Sequence, residues 1–222
     1  MGLQIHTLEE SGFATWDAFV ENCSDASFFH RAGWKTVLER VFSHPTFYLY
    51  AERAGQIEGV LPLSQIKSLL FGNTLTSTPF CVYGGIAASS EDAKSALLTA
   101  ACDLAERLRV DALEMRNLQP SGENWPKKDL YVTFRKEIDP DPEVNLKAIP
   151  RKQRAMVRKG IKAGLQGEVD DGWERLYRVY SESVRNLGTP VFNASYLHVL
   201  REVFTEDCRV LMVTHEGRRS EE

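Results

Sequence analysis

The chain has 222 residues, of which 43% are hydrophobic and 26% are charged, and its formal net charge at pH 7 is −4. This length allows one large domain or two modest ones, and the acidic balance argues against a protein whose whole surface coats nucleic acid. Any anion-binding role must therefore be local.

The four cysteines are scattered, with no C-x-x-C pair and no histidine at ligand spacing. Neither a metal site nor a disulfide framework is predicted, and free thiols fit a reducing cytoplasm. The N-terminus lacks a signal peptide, and no segment has the roughly 20 apolar residues of a membrane span. A cytoplasmic protein without stable membrane insertion is expected.

The first part of the chain is predicted to form a strand, two helices and a hairpin. The second helix carries Trp34, and Pro62 should demote part of the second hairpin strand to an edge or a bulge. The predicted ranges are a strand at 3–8, a helix at 15–22, and hairpin strands at 46–53 and 57–67.

The elements that follow have the order of a β-α-β unit. A strand at 74–77 leads through PFCVYGG to a helix that begins after Ser89 or Ser90, since serine is a favoured N-cap. Two further strands are predicted at 110–116 and 131–138. The fold class is therefore α/β (α+β), with a mixed sheet flanked by helices.

Residues 145–164 hold seven Lys and Arg and no Asp or Glu. At 100° per residue the cations lie within an arc of about 160° on a helix that Pro150 can begin, opposite apolar residues that include Met156 and Val157. Three interpretations stay open: a solvated linker face, a groove for a phosphate-bearing partner, and a membrane-surface helix, the last disfavoured because Met156 and Val157 should pack between domains.

The chain contains an internal repeat at a spacing of 162 residues. RAGWKTVLERVF (31–42) aligns without a gap on NASYLHVLREVF (193–204), with five identities, and Trp34 falls on Tyr196. The hairpin start TFYLYAERAG aligns at the same spacing on CRVLMVTHEG, which makes chance similarity of two amphipathic helices a poor explanation.

The repeat predicts a domain duplicated in tandem. The expected parts are a first domain at 1–144, a basic junction helix at 145–165 and the start of a second, incomplete domain at 166–222, which stops at HEGRRSEE where a returning strand should begin. The open strand of that second copy should pair with another chain, as in a homodimer, or with the first domain, because bare strand edges invite association.

The chain resembles the FemAB family, in which two GNAT-type acyltransferase domains move an amino acid from aminoacyl-tRNA onto a cell-wall peptide precursor. Within that family it is most similar to the proteins associated with exosortase and exopolysaccharide systems. The stretches that carry the resemblance are FFHRAGWKTVLERVF, FYLYAERAGQIEGVLPL, TPFCVYGGIAA and PRKQRAMVRKGIKAGL.

The resemblance implies an N-acyltransferase acting on an amine of an anionic or lipid-linked cell-envelope (peptidoglycan or exopolysaccharide) precursor, with tRNA as carrier and no bound cofactor. Consistent with this, no Gly-rich pyrophosphate loop opens a helix. An acetyl-CoA-dependent N-acetyltransferase and a non-catalytic module that binds an anionic glycan or nucleotide-sugar remain the alternatives. No catalytic side chain is assigned, because such a reaction depends on positioning and on oxyanion donors.

Five residues are candidate substrate contacts. Lys35 lies near Trp34, where the family presents a lysine to phosphates. Tyr83, Gly84 and Gly85 join a strand to a helix, where glycine allows a ligand to approach the backbone or simply forms a tight turn. Arg116, at a strand end, meets a substrate anion or pairs with Glu114. The candidate anion- or tRNA-binding residues are Arg151, Lys152, Arg154, Arg158, Lys159 and Lys162.

Overall fold

A computed structural model describes residues 2–68, 72–119, 124–128, 132–215 and 218–219. The chain divides into two compact units, one formed by Met1–Glu123 with His198–Thr205 and the other by Asn124–Leu197 with Glu206–Glu222. The boundaries at 144 and 165 expected from the sequence stay a prediction.

The first unit is built on a mixed sheet in the order β1-β2-β3-β4-β6, with β5 paired to β3. All strand pairs are antiparallel except β4 with β6, which run parallel. The strands are β1 (Gln4–Thr7), β2 (Thr46–Arg53), β3 (Gln56–Ser68), β4 (Gly72–Ser77), β5 (Ala87–Ala88) and β6 (Ala112–Glu114). The helices of this part of the chain are α1 (Phe13–Asn22), α2 (Gly33–Phe42) and α3 (Glu91–Leu108).

Helix α3 covers one face of the first sheet. It begins as the sequence predicts: Ser90 is the N-cap, and its side chain accepts a hydrogen bond from the Ala93 N–H. Its apolar stripe is buried against Leu49, Ala51, Leu61, Leu63 and Leu75 of the sheet. The stripe consists of Ala93, Leu97, Ala101 and Leu104.

The remaining elements are α4 (Pro142–Ala148), α5 (Arg151–Lys162), β7 (Gln166–Asp170), α6 (Glu174–Asn186), α7 (Ala194–Phe204), β8 (Val210–His215) and β9 (Arg218–Arg219). Strands β7, β8 and β9 form a second, antiparallel sheet. The expected mixed α/β class is confirmed.

The duplication is present in the strand register itself. In the first copy β1 pairs with β2 so that Gln4 faces Glu52 and Thr7 faces Leu49. Adding 162 to each number gives Gln166 facing Thr214 and Val169 facing Leu211, which is the observed register of β7 with β8. The hairpin pairs follow the same rule, since Glu52 faces Ile57 and Thr214 faces Arg219. Gly217, which the sequence aligned with Gly55, lies outside the described residues.

Helix α2 and the C-terminal half of α7, both in the first unit, contact each other. A Cβ at Gly33 would lie 2.7 Å from Val203 Cγ1, so glycine permits the close approach. The Arg40 guanidinium donates to both carboxylate oxygens of Glu202 at 2.8 Å, and this hydrogen bonding lowers the Glu202 pKa. Positions 40 and 202 are 162 residues apart, so the pair joins the same site of both copies.

Two predictions about strands are wrong. Residues 132–138 form no strand, and the ring of Phe134 is 93% exposed. No described strand pairs with this segment, and apolar alternation alone does not hold a strand. Pro62 lies inside β3 facing Tyr48, and the bulge falls at Ala51/Glu52 instead. Pro62 is tolerated because it sits between the β5 and β4 pairings, where its missing N–H is not required.

The basic segment is two helices instead of one. Asp141 caps the first turn of α4 by accepting from the Glu143 N–H at 2.9 Å, and Pro142 occupies that turn. Ile149, which precedes Pro150, is extended and separates α4 from α5, as proline disfavours helix at the residue before it. Lys147 therefore belongs to α4.

Candidate functional site

The loop after β4 brings four of the predicted contacts together at the C-terminal ends of the parallel strands β4 and β6. The Gly84 and Gly85 N–H groups both donate to the Arg116 carbonyl, at 3.0 and 3.2 Å. Ser77 at the end of β4 accepts from the Arg116 N–H at 2.8 Å. Tyr83 is half-buried beside these glycines. The two glycine N–H groups are thus engaged by the protein's own backbone.

The glycines are required here by packing. A Cβ at Gly85 would lie 1.9 Å from Asn117 Oδ1 and 2.9 Å from Asn117 Cα, and one at Gly84 would lie 2.4 Å from Thr78 Oγ1. No side chain fits at either position without moving the strand ends. Close packing against Thr78 and Asn117 therefore accounts for both glycines, and their contact with a substrate stays a prediction.

Arg116 fixes the loop from inside. Its Nε donates to Glu114 at 2.9 Å and its Nη1 donates to the Cys81 carbonyl at 2.6 Å. The pairing with Glu114 that the sequence left open is therefore formed. Arg116 ties β6 to the loop and keeps only part of its donor capacity for another anion.

His30 holds the opposite side of the same loop, a role that the sequence analysis missed. The ring is 1% exposed, Nε2 lies 2.9 Å from the Gly85 carbonyl and Nδ1 accepts from the Ser27 N–H at 3.0 Å. Trp16 Nε1 donates to the His30 carbonyl at 2.7 Å. The neutral ring with its proton on Nε2 satisfies both contacts, and burial lowers the pKa of His30 below 6.5.

We expect stability to depend on pH through His30. Below pH 6.5 the unfolded chain binds a proton at this residue while the folded chain does not, so the free energy of unfolding falls as pH is lowered toward the folded-state pKa. One such group contributes at most about 1.4 kcal/mol per pH unit. Urea unfolding should show the free energy of unfolding falling between pH 7 and 5, and His30→Gln should make that decrease smaller.

His44 provides the control for that measurement. Its pKa is also lowered by burial, but its ring is less enclosed, so His44→Gln should remove a smaller part of the slope. Equal slopes in the wild type and the His30→Gln variant would contradict the buried neutral imidazole.

The Cys81 thiol and the Tyr48 phenol are not activated as nucleophiles. Burial raises the pKa of Cys81 to about 12, although Arg116 opposes the shift, so the thiol stays protonated. Burial also raises the pKa of the Tyr48 phenol. Among the described residues, no group of three or more His, Cys, Asp or Glu side chains could hold a metal ion.

The interactions of Lys35 are with residues outside the loop. Its ammonium pairs with Glu39 one turn along α2 and donates to Thr46 Oγ1 at 3.0 Å. Its side chain is 17% exposed. Lys35 thus joins α2 to the start of β2, and the phosphate contact expected from the resemblance stays a prediction.

The basic helix α5 presents its cations to solvent. Arg151, Lys152, Arg158, Lys159 and Lys162 are exposed, and none forms an ion pair within the described part of the chain. Arg154 differs, since its guanidinium donates to the Lys147 and Ile149 carbonyls and so caps α4. Met156 and Ile161 are 63% and 66% exposed, so the apolar side of α5 is not buried as the sequence argument assumed.

A second basic feature lies in the second unit, and the sequence analysis missed it. A cleft of about 740 Å³ is lined by Arg178, Ser181, Glu182, Arg185, Gly188, Thr189, Pro190 and Val191. Neither arginine forms an ion pair with any residue that the structure describes. Arg178 stands where the first copy has the buried Trp16, and alignment of the two copies could have revealed that exchange.

The exchange is possible because another residue takes over the hydrogen bond that Trp16 makes. In the first copy Trp16 binds the His30 carbonyl. In the second copy the equivalent carbonyl, that of Phe192, accepts from the Tyr177 hydroxyl at 3.2 Å. Position 178 is therefore released from the core and carries an exposed cation.

No protein-family model and no curated protein matches the chain. Among solved structures it resembles FemX, with a TM-score of 0.65 and 16% identity over 95% of this chain. The chain spans 57% of the length of FemX. This similarity shows that the chain has the fold of the part of FemX that it matches.

Two acetyltransferases align with smaller parts of the chain. The Trypanosoma brucei acetyltransferase aligns over 60% of this chain and 100% of its own, at 12% identity and a TM-score of 0.44. A GNAT family acetyltransferase of Staphylococcus aureus aligns over 64% and 99%, at 13% identity and a TM-score of 0.38. No helix among the described residues has the length and apolar character needed to cross a membrane.

Proposed function

We propose that this chain belongs to a FemAB-like N-acyltransferase that transfers an aminoacyl or acyl group to an amine of a cell-envelope precursor. The observation that carries the proposal is the GNAT-like fold in two copies of identical strand register, matched over 95% of the chain by FemX. The FemAB resemblance of sequence stretches in the first copy and in the basic junction segment points the same way.

The proposed reaction needs no side-chain nucleophile. The acceptor amine attacks the ester carbonyl of aminoacyl-tRNA, a C–N bond forms, the C–O ester bond breaks, and the proton lost by the amine ends on the released ribose hydroxyl. The protein's part is to position the two reactants and to stabilise the tetrahedral oxyanion. A reaction without a side-chain nucleophile is compatible with the protonated Cys81 thiol and with an Arg116 guanidinium that donates to the Cys81 carbonyl.

The exposed cations of α5 would hold the phosphates of the carrier or of the precursor. Arginine and lysine bind phosphate oxygens by charge-assisted hydrogen bonds, and within the described residues these side chains have no carboxylate partner to displace. The cleft beside Arg178 and Arg185 is a second place for an anionic group of the acceptor.

The test is an acyl-transfer assay with the whole protein that contains this chain. Radiolabelled aminoacyl-tRNA and labelled acetyl-CoA are offered in parallel to nucleotide-linked and lipid-linked peptide precursors. We expect label to pass from tRNA to a precursor amine. Transfer from acetyl-CoA alone would overturn the tRNA donor and favour the CoA-dependent alternative.

A binding module without catalysis is the second candidate, favoured by the exposed cations of α5 and by the arginines of the cleft. It predicts that precursors or nucleotide-sugars bind, with no transfer from either donor. Equilibrium binding measured on the same samples as the transfer assay separates the two functions.

A further inference from the structure

The loop after β4 begins with a turn whose backbone is strained. Pro79 and Phe80 form the turn, and the Cys81 N–H closes it by donating to the Thr78 carbonyl at 3.2 Å. The φ angles are 34° at Thr78 and 67° at Phe80. Positive φ favours glycine or asparagine, so a β-branched residue and a phenylalanine both adopt a costly conformation here.

Contacts at both ends of the turn impose this conformation. The Thr78 N–H donates to the Pro62 carbonyl at 3.0 Å, and the Thr78 hydroxyl donates to the Phe29 carbonyl at 3.2 Å. At the other end the Cys81 carbonyl accepts from Arg116 Nη1 at 2.6 Å. Backbone strain that the surrounding structure imposes is concentrated at binding and catalytic sites. The side chain that this turn presents is therefore a candidate ligand contact.

That side chain belongs to a group of three nearly parallel rings. The Phe80 ring is 42% exposed and stacks on Phe42, with the two centroids 4.3 Å apart and the planes inclined by 28°. The His44 ring is inclined by 12° to Phe42 and by 16° to Phe80, at centroid distances of 5.9 and 6.0 Å. Burial lowers the pKa of His44, so its imidazole is mainly uncharged at neutral pH. Another flat ring can extend such a stack.

We propose that Phe80, supported by Phe42 and His44, is a stacking platform for a nucleobase. Every nucleobase has a flat π-face, and bases stack on phenylalanine and histidine side chains. The choice of a base as the ring rests on the proposed function, in which the tRNA carrier and a nucleotide-linked precursor both carry bases. Packing alone would not require phenylalanine at a backbone position that favours glycine.

Saturation-transfer NMR with the whole protein that contains this chain tests the platform. The ligands are AMP, CMP, GMP and UMP, with ribose 5-phosphate as the matched ligand that lacks a base. We expect the base protons to receive more saturation than the ribose protons. Ribose 5-phosphate should bind about fivefold or more weakly than the nucleotides, because it cannot stack.

Two substitutions at position 80 separate the ring from its apolar volume. Phe80→Leu keeps an apolar side chain but removes the π-face, and it should weaken nucleotide binding about fivefold or more. Phe80→Tyr keeps the ring and should bind like the wild type. The matched control is Val82→Ala, because Val82 is 54% exposed in the same loop but lies outside the ring group, and this variant should bind normally.

Phe80→Gly tests the strain. Glycine adopts a positive φ at no steric cost, so this variant should lose nucleotide binding while its urea midpoint stays the same or rises. A lower midpoint would show that the ring is kept for packing and would overturn the proposal.

A CCA trinucleotide, the sequence of the tRNA 3′ end, identifies the source of the base. If it binds more tightly than each mononucleotide, the platform belongs to the carrier. If a mononucleotide binds as tightly or more tightly, the platform belongs to the nucleotide-linked precursor.

Three binding results would overturn the platform: no nucleotide bound at millimolar concentration, equal affinity for ribose 5-phosphate, or equal affinity in the Phe80→Leu variant. Binding is measured without acyl transfer, so the two proposals fail separately. Base stacking in a protein that transfers no acyl group would overturn the proposed function and leave the platform in place.

Discussion

Replacing Phe204 with alanine is expected to lower the free energy of unfolding by about 3–5 kcal/mol. Phe204 is 4% exposed, and its ring centroid lies 4.8 Å from that of Phe28 and 5.2 Å from that of Trp34. The change opens a cavity beside the rings of Phe28 and Trp34. The folded state therefore loses the burial of the Phe204 ring and its van der Waals contacts. Urea unfolding followed by tryptophan fluorescence measures the change.

The matched control is Phe134→Ala, because the ring of Phe134 is 93% exposed. The same chemical change at that position should alter the free energy of unfolding by about 0.5 kcal/mol or less. Similar decreases in both variants would contradict the aromatic cluster around Trp34. With a typical domain stability of about 5–15 kcal/mol, the Phe204 variant would give up a large share of it.

Reversing two charges on α5 is expected to weaken binding of tRNA about tenfold or more at low salt. Arg158→Glu with Lys162→Glu changes two exposed cations without an ion pair in the described chain, so the fold should be kept. The slope of log affinity against log salt should become shallower by about one for each phosphate that the helix no longer neutralises. Fluorescence anisotropy with labelled tRNA at several salt concentrations gives both quantities.

The control is Lys67→Glu with Arg107→Glu, two exposed cations of the first unit, which changes net charge by the same amount. Equal weakening in the two double variants would reduce the effect to overall charge and remove α5 from the site. Arg154 is left unchanged, because it caps α4 through the Lys147 and Ile149 carbonyls and its reversal would disturb the helix junction.

The repeat and its elements could be predicted from the sequence because they follow from local patterns. The helix around Trp34 and the hairpin at 46–67 are amphipathic stretches with clear ends, and their register is kept at the 162-residue spacing. The predictions that failed depend on contacts between residues that are distant in the sequence. Whether residues 132–138 pair with a strand depends on what lies beside them, and no pattern within them carries that information.

The location of the loop site could also be predicted, but the roles of its residues could not. Tyr83, Gly84, Gly85 and Arg116 do converge on the strand ends. Hydrogen bonds connect Gly84, Gly85 and Arg116 to one another, because the Arg116 carbonyl accepts from both glycine N–H groups. His30 escaped notice because its hydrogen bond with Gly85 spans 55 residues of sequence. Arg178 would have been found by comparing the copies position by position.

Arg40 of the first copy and Glu202 of the second are equivalent positions, and they form a bidentate ion pair with each other. A contact between a residue and its own counterpart is the geometry of a two-fold interface, where identical halves would set like against like. Two first halves would oppose guanidinium groups, and two second halves would oppose carboxylates. Divergence at this one position therefore places an ion pair where two identical residues would repel each other.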